Sequence, residues 1–381
     1  MIKIVFVQYH TNTIYTEKNY YLDVLIKNGF DVEYWDVSKI FFDNLKITES
    51  GSIRKGYEVY LSSYDELEQE IKKQNLVNTI FINQITYELR VLKLFRLFSK
   101  YHCIVYRNFV GMLPQYSSMG KKIKNNLNVK VFQKIINIIV PSLYKKLKLV
   151  SNYHTVFAAG EMSIKLYSQT AKVIPINFFD YDKYLLIKAN NERLIKERYC
   201  VYLDDNWASH PDVKMLKLAP LNAENHYNSL KRFFDSIENQ FDIKIIVAAH
   251  PRSEHPLSDY GNREIIKYQT AELVKDAEFV LTSISTSMSN AVLFNKPIIF
   301  FYTEEIKEKY RHTQYSNIKL YSNILGAKLI NVNNYMLTDL ALNPINYEKY
   351  KSYKYLYLTS KESENIHSSE IVLKYFQNLS H

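Results

Sequence analysis

The chain has 381 residues, 47% of them apolar and 23% charged, with a formal net charge of +10. This composition excludes a disordered chain, and the length predicts two domains of roughly 150 to 200 residues each, because single hydrophobic cores rarely grow further. The sequence contains no run of about 20 apolar residues, which argues against a transmembrane helix.

The first predicted element is a buried strand over Ile2–Val7. Its apolar run is too short to be the hydrophobic region of a signal peptide followed by a cleavage site. The two cysteines, Cys103 and Cys200, lie in apolar runs, where free thiols behave as small hydrophobic side chains. These features predict a reduced, cytoplasmic protein.

Strands and helices alternate along the first half of the chain. This alternation predicts a parallel, doubly wound α/β sheet, in which Lys172–Ile176 is the last strand. The earlier strands are predicted over Ile2–Val7, Asp31–Trp35, Thr79–Asn83, Cys103–Tyr106 and Thr155–Ala158, and the helices over Thr16–Lys27, Ser63–Lys73 and Glu88–Ser99.

Residues 121–150 form a basic amphipathic segment that holds eight lysines and no acid. Its apolar residues recur with a roughly helical period, and Pro141 is expected to break or kink the helix. Such a helix is typical of contact with an anionic membrane surface, here the cytoplasmic face of the inner membrane; the alternative is an ordinary surface helix with solvated lysines. No nucleic-acid-binding motif accompanies the charge, so nucleic acid is not an expected partner.

The turn at Asn177–Asp182 is interpreted as the crossing between two domains, which span residues 1–178 and 179–381. The second half repeats the strand and helix alternation. We therefore predict two Rossmann-like, doubly wound domains that face each other across a central cleft. The strands of the second half are predicted over Arg198–Leu203, Lys244–Ala249, Glu264–Ile266, Glu278–Leu281, Pro297–Tyr302 and Ala327–Ile330.

Candidate catalytic acids follow strands in both predicted domains. Asp204 and Asp205 come directly after the strand Arg198–Leu203, and Glu161 comes just after the strand Thr155–Ala158. A carboxylate at a strand end is able to take a proton from an acceptor hydroxyl or to attack an anomeric carbon. The alternative is that these acids only cap turns and helix starts, and the choice between Asp204 and Asp205 stays open.

Two further polar groups predict phosphate binding. His250-Pro251-Arg252 follows a buried strand, so that the histidine and arginine are able to contact a phosphate. Ser285, Thr286 and Ser287 precede a predicted helix, where hydroxyls and backbone N–H groups hold anions; a simple helix cap is the alternative. Upstream, Glu272 either accepts hydrogen bonds from ribose hydroxyls or serves only as a first-turn acid.

These segments resemble a family of bacterial GT-B glycosyltransferases of surface-polysaccharide synthesis, the sialyltransferase and Kdo-transferase groups. The resemblance covers mainly residues 200–302. One departure is Asn206, which stands where several sialyltransferases have glycine after the acidic pair. The matching segments are Tyr202-Leu203-Asp204-Asp205, His250-Pro251-Arg252, Thr270-Ala271-Glu272-Leu273-Val274, Ser285-Thr286-Ser287 and Asn295-Lys296-Pro297-Ile298-Ile299.

The resemblance implies a GT-B fold and the transfer of an acidic sugar from a CMP donor to an oligosaccharide or lipid-linked glycan of lipopolysaccharide or capsule. It implies that His250 contacts the donor phosphate or cytidine, that residues 285–287 hold the phosphate, and that an acid at 204 or 205 is base or nucleophile. The sequence shows no tight cluster of His, Cys and acidic residues with metal-ligand spacing, so we expect transfer without a metal ion or cofactor.

Two other functions fit the same motifs. CDP-glycerol or CDP-ribitol phosphotransferases of wall-polymer synthesis look similar over the His-Pro, hydroxyl and Lys-Pro segments, and they also suit a basic, membrane-facing surface. A non-catalytic nucleotide-binding assembly partner is the second alternative. The sugar, the acceptor hydroxyl and the stereochemical outcome are not readable from the sequence.

Overall fold

The computed structural model describes residues 2–42, 55–116, 129–207, 219–250, 253 and 256–379. The chain divides into two compact units. Unit 1 comprises Met1–Met112, Met119–Asn177 and Thr359–His381, and unit 2 comprises Leu113–Ser118 and Phe178–Leu358.

Strands and helices alternate through both units. The strands are β1 Lys3–Gln8, β2 Asp31–Asp36, β3 Glu58–Tyr60, β4 Thr79–Asn83, β5 Ile104–Phe109, β6 Thr155–Ala159, β7 Lys172–Ile176, β8 Tyr199–Leu203, β9 Lys244–Ala249, β10 Ile265–Lys267, β11 Val280–Thr282, β12 Ile298–Tyr302 and β13 Lys328–Asn331. The helices are α1 Ile14–Asn19, α2 Leu22–Lys27, α3 Ser38–Phe41, α4 Tyr64–Lys73, α5 Leu92–Lys100, α6 Val129–Lys146, α7 Gly160–Tyr167, α8 Phe179–Ile187, α9 Ala223–Phe241, α10 Thr270–Asp276, α11 Met288–Leu293, α12 Glu304–Lys309, α13 Gln314–Leu325, α14 Tyr347–Tyr353 and α15 Ser368–Leu379.

Each unit has its own parallel sheet. Among the described residues, the sheet of unit 1 has the order β3-β2-β1-β4-β5-β6-β7, and that of unit 2 has the order β10-β9-β8-β11-β12-β13. Both orders run outward from the first strand of the unit in one direction and then continue from its other side, which is the doubly wound pattern. The predicted α/β fold with two Rossmann-like sheets is confirmed.

Apolar runs explain why these strands are central. Five of the six residues in β9, for example, are aliphatic or alanine residues that are buried on both faces of the sheet, as parallel strands covered by helices require. In unit 2 one core lies under α8, α10, α11 and α13, and a second core lies under α9 on the opposite face of the sheet.

Some local predictions differ from the structure. The three-residue strand β3 was not predicted, and the single helix expected over Thr16–Lys27 is two helices, because Tyr21 takes a left-handed backbone conformation with φ 62° between them. Pro141 lies inside α6 and does not end it. Residues 121–128 of the basic segment lie outside the described residues.

The helix α6 leaves apolar side chains in solvent. Ile139, Leu143 and Leu147 are 57%, 46% and 58% exposed, and their spacing of four residues places them on one helical face. Across the part of the chain that the structure describes, no helix has both the length and the apolar character needed to span a bilayer.

The C-terminal segment belongs to unit 1, whereas the sequence placed residues 359–381 in the second domain. The reason is a polar network around the fully buried Asn177. Its Nδ2 donates to the carbonyl of Ile366 at 2.8 Å, and its Oδ1 accepts from the hydroxyl of Thr359 at 2.7 Å. The ring of Phe376 in α15 then packs 5.9 Å from that of Phe157.

We expect Asn177→Ala to lower the free energy of unfolding by about 2 to 3 kcal/mol, because it leaves the buried hydroxyl and carbonyl without their partner. Urea unfolding followed by circular dichroism measures the change. Asn152→Ala, which removes an exposed asparagine from the same unit, serves as the control and should change the value by less than about 0.5 kcal/mol. Equal effects of the two substitutions would contradict the anchoring role of Asn177.

Candidate active site

Three strands of unit 2 end at the same level of the sheet. Leu203, the last residue of β8, is in register with Ala248 of β9 and with Thr282 of β11. The chain continues from β8 to β9 on one side and later places β11 on the other side, so this is the point where the strand order reverses. Open α/β sheets bind ligands in the crevice outside such strand ends.

Asp204 joins the ends of β8 and β9. Its side chain is 4% exposed and accepts hydrogen bonds from the N–H of Asn206 at 2.7 Å, the N–H of His250 at 3.2 Å and the hydroxyl of Tyr260 at 3.0 Å. A carboxylate is an acceptor-only group, so three donors satisfy most of its capacity. Asp204 therefore holds the two turns together.

The turn after Asp204 contains a residue in the left-handed backbone conformation. Asn206 has φ 50°, a conformation that glycine adopts freely and asparagine tolerates better than most other residues. Asn206 therefore adopts a backbone conformation that glycine would also adopt at this position.

Asp205 links β8 to the loop that follows β11. Its half-buried carboxylate accepts hydrogen bonds from the N–H of Trp207 at 3.2 Å and from the N–H of Ile284. Burial, reinforced by the neighbouring Asp204 charge, raises the pKa of Asp205 to about 7. A carboxyl with this pKa takes up and releases protons near neutral pH, as a general base or acid does.

The histidine turn is held by its own backbone. The carbonyl of His250 accepts from the N–H of Ser253 at 2.9 Å and from its hydroxyl at 2.7 Å, while the N–H of His250 donates to Asp204. The backbone of His250 thus lies against Asp204. Pro251 and Arg252 lie outside the described residues.

The loop between β11 and α11 presents hydroxyls that make no hydrogen bond to any described residue. Its backbone is fixed from both sides: the N–H of Ser285 donates to the hydroxyl of Thr282 at 3.3 Å, and the amide of Asn290 donates to the carbonyl of Ser287 at 3.1 Å. Thr286 is exposed, and Ser285 and Ser287 are half-buried. Hydroxyls in this position fit a phosphate better than they fit a helix cap, since none of them caps α11.

Glu272 is engaged by a residue that sequence reasoning missed. Its Oε1 lies 2.6 Å from the Nζ of Lys183 in α8, while its Oε2 is buried and has no hydrogen-bond partner within the described chain. The lysine neutralises the charge of the carboxylate through Oε1, and Oε2 retains its capacity to accept a hydrogen bond from a hydroxyl. Lys183 lies in a helix that the sequence had assigned to an interdomain crossing.

Asp180 is a second residue that sequence reasoning missed. It lies in the first turn of α8 and contacts the side chain of Asn290 in α11, and burial raises its pKa to about 7. An acid in the first turn of a helix is common, so the sequence carried no signal that this one is buried.

Glu161 lies in unit 1, where it is exposed in the first turn of α7. In unit 2, Asp204, Asp205, His250 and residues 285–287 lie at the ends of β8, β9 and β11. Within the described residues, no group of three or more His, Cys, Asp and Glu side chains is arranged to hold a metal ion.

The chain shares its fold with solved structures. It is similar to the wall teichoic acid polymerase TagF, H444N variant, with a TM-score of 0.55 and 13% identity over 100% of this chain and 90% of that chain. The same variant soaked with CDPG gives 0.54 and 13% over 99% and 88%, and the calicheamicin glycosyltransferase CalG4 gives 0.54 and 10% over 99% and 98%. No family model and no curated protein sequence matches the chain.

The raised pKa of Asp205 makes stability depend on pH. The unfolded carboxyl has a pKa near 3.9, so between about pH 4 and pH 7 the folded chain holds the proton more tightly, and ionisation destabilises it. We expect the free energy of unfolding to fall over this range by on the order of 1 to 2 kcal/mol more in the wild type than in Asp205→Asn, after allowance for solvent screening.

Urea unfolding at pH 4.5 and pH 7.5 measures this difference. The control is Asp242→Asn, which changes an exposed acid at the end of α9 and should keep the wild-type pH dependence. The same pH dependence in Asp205→Asn and in the wild type would show that the Asp205 carboxyl ionises normally.

Proposed function

We propose that the protein is a group transferase of the GT-B type, whose nucleotide-activated donor binds at the carboxyl edge of the unit 2 sheet. The observation that carries this proposal is Asp205. Its carboxyl has a pKa of about 7 and accepts a hydrogen bond from the N–H of Ile284, the residue immediately before Ser285, Thr286 and Ser287. A proton acceptor beside a phosphate-binding loop is what transfer from a phosphate leaving group to a hydroxyl requires.

Each group has a distinct role in this proposal. Ser285, Thr286 and Ser287 hold the phosphate, because their hydroxyls are uncommitted within the described structure. His250 and Arg252 stabilise the charge that develops on the leaving phosphate, and Pro251 stiffens the turn between them. Asp204 positions the turn and Asp205 accepts the acceptor's proton, so of the two acids Asp205 is the base in this proposal.

The donor in this proposal is a CMP-activated acidic sugar of the Kdo or sialic-acid type. The support is the resemblance of the acidic, His-Pro and Ser/Thr segments to the transferases that use such donors. The buried, unpartnered Oε2 of Glu272 suits a ribose hydroxyl. A glycan acceptor binds on the side of unit 1, where Glu161 is the candidate acid.

The second candidate is transfer of a polyol phosphate from a CDP-linked donor. It is favoured by the similarity in fold to TagF, which is a wall teichoic acid polymerase and whose H444N variant was soaked with CDPG. Both candidates use a cytidine nucleotide and the same phosphate loop, so they differ in the group transferred. A non-catalytic nucleotide-binding role is the outcome in which neither donor is consumed.

A peripheral site on the cytoplasmic face of the inner membrane fits both candidates. Helix α6 exposes Ile139, Leu143 and Leu147 on one face, in a segment with eight lysines and no acid over residues 121–150. Apolar side chains flanked by lysines suit the interface of an anionic bilayer, where a lipid-linked glycan acceptor resides.

A donor panel tests the proposal. The protein is incubated separately with CMP-Kdo, CMP-sialic acid, CDP-glycerol and UDP-sugars, and donor hydrolysis and the shift of the unfolding temperature are measured. We expect a shift and slow hydrolysis with at least one cytidine donor. A shift with UDP-sugars and with no cytidine donor would rule out both candidates.

With the active donor, Asp205→Asn should lower kcat by about 100- to 1000-fold and leave the donor-induced temperature shift intact, because the amide cannot accept a proton. The matched control, Asp242→Asn, should retain wild-type kcat. A fall of less than about threefold in Asp205→Asn would assign Asp205 to turn capping.

A further inference from the structure

Unit 1 contains a buried positive charge that has no counter-ion among the described residues. Arg107 of β5 is 7% exposed, and none of the described acidic residues forms an ion pair with it. Its Nη1 donates to the hydroxyl of Tyr153 at 3.0 Å, and its guanidinium lies 5.1 Å from the ring centre of Phe109. Its Nε is buried and has no hydrogen-bond partner. Buried charges in proteins are normally paired, so Arg107 lacks, within the described residues, the partner that a buried charge usually has.

The groups around Arg107 are phenols and not carboxylates. The Arg107 charge opposes the rise of the pKa at Tyr20, Tyr153 and Tyr167, although burial raises all three. Partial burial, with a smaller contribution from Arg107, lowers the pKa of Lys145 in α6. The surroundings therefore add positive charge and supply no negative charge.

A second buried donor lies beside Arg107. Asn83 is the last residue of β4, and the register that pairs Ile82 with Tyr106 makes Asn83 the neighbour of Arg107. Phe81 and Val105, two residues earlier in each strand, share one core, so alternation places the Asn83 and Arg107 side chains on that same face. The Oδ1 of Asn83 accepts the N–H of Ile85 at 3.0 Å, whereas its Nδ2 is fully buried and unpartnered.

We propose that the carboxyl edge of the unit 1 sheet is a binding site for an oxyanion, a phosphate or carboxylate group, held by Asn83 Nδ2 and the Arg107 guanidinium. Two unsatisfied buried donors, one of them charged, match the two acceptor oxygens of such a group. The site belongs to unit 1 alone and does not depend on the function of unit 2.

Thermal unfolding of the full chain tests this site. The unfolding temperature is measured in inorganic pyrophosphate and in citrate, each against sodium chloride of equal ionic strength. In the wild type we expect a rise on the order of 5 °C at an anion concentration about 100-fold above Kd. The part of the rise that Arg107→Gln removes identifies the ligand of this site: a phosphate if that part occurs with pyrophosphate alone, and a carboxylate if it occurs with citrate alone.

Two variants show which site produces the rise in the unfolding temperature. Arg107→Gln should abolish the part of the rise that belongs to this site, and Arg96→Gln, which removes an exposed arginine from the same unit, should keep all of it. Any binding of pyrophosphate to unit 2 is common to all variants and cancels in the comparison.

If Arg107→Gln fails to fold, the Asn83→Asp variant tests the proposed anion site instead. It supplies an internal carboxylate beside Arg107 and preserves the acceptor for Ile85, so the variant should unfold at a higher temperature without anion and lose the part of the rise that belongs to this site. A wild-type chain that shows no rise in either anion, or an Asn83→Asp variant with the wild-type rise, overturns the proposal.

Discussion

The carboxylate of Asp204 is the contact on which the geometry of unit 2 depends. It accepts hydrogen bonds from the turn after β8, from the first residue after β9 and from Tyr260, and so ties together segments that are 46 and 56 residues apart. Without it, three buried donors would lack an acceptor, which is a substantial penalty. This bond set places His250 and Asp205 beside each other.

The same contact explains the chemistry of its neighbour. Asp204 is satisfied by fixed donors, while Asp205, next in the chain, is half-buried and lies beside the like charge of Asp204. Two adjacent carboxyls with different hydrogen bonding are driven to different proton affinities, and such pairs characterise acid–base sites. The raised pKa of Asp205 is thus a consequence of how β8 ends.

The sequence predicted the sheets well because parallel strands buried on both faces are continuous apolar runs. It predicted the grouping of Asp205, His250 and Ser285–Ser287 because carboxyl ends of parallel strands meet at one edge. It did not predict the return of α15 to unit 1, since the network around Asn177 joins residues almost 200 positions apart. Asp180, Lys183 and Arg107 were missed for a related reason, because burial and pairing of a charged residue depend on tertiary packing.

The central claim is that the loop at Ser285–Ser287 holds a donor phosphate next to Asp205. The most direct test is a crystal structure of the protein soaked with CMP. The account predicts the phosphate oxygens at about 3 Å from the hydroxyl or N–H groups of residues 285–287, with Glu272 on the ribose side. CMP bound with its phosphate away from this loop, or bound in unit 1, would contradict the account.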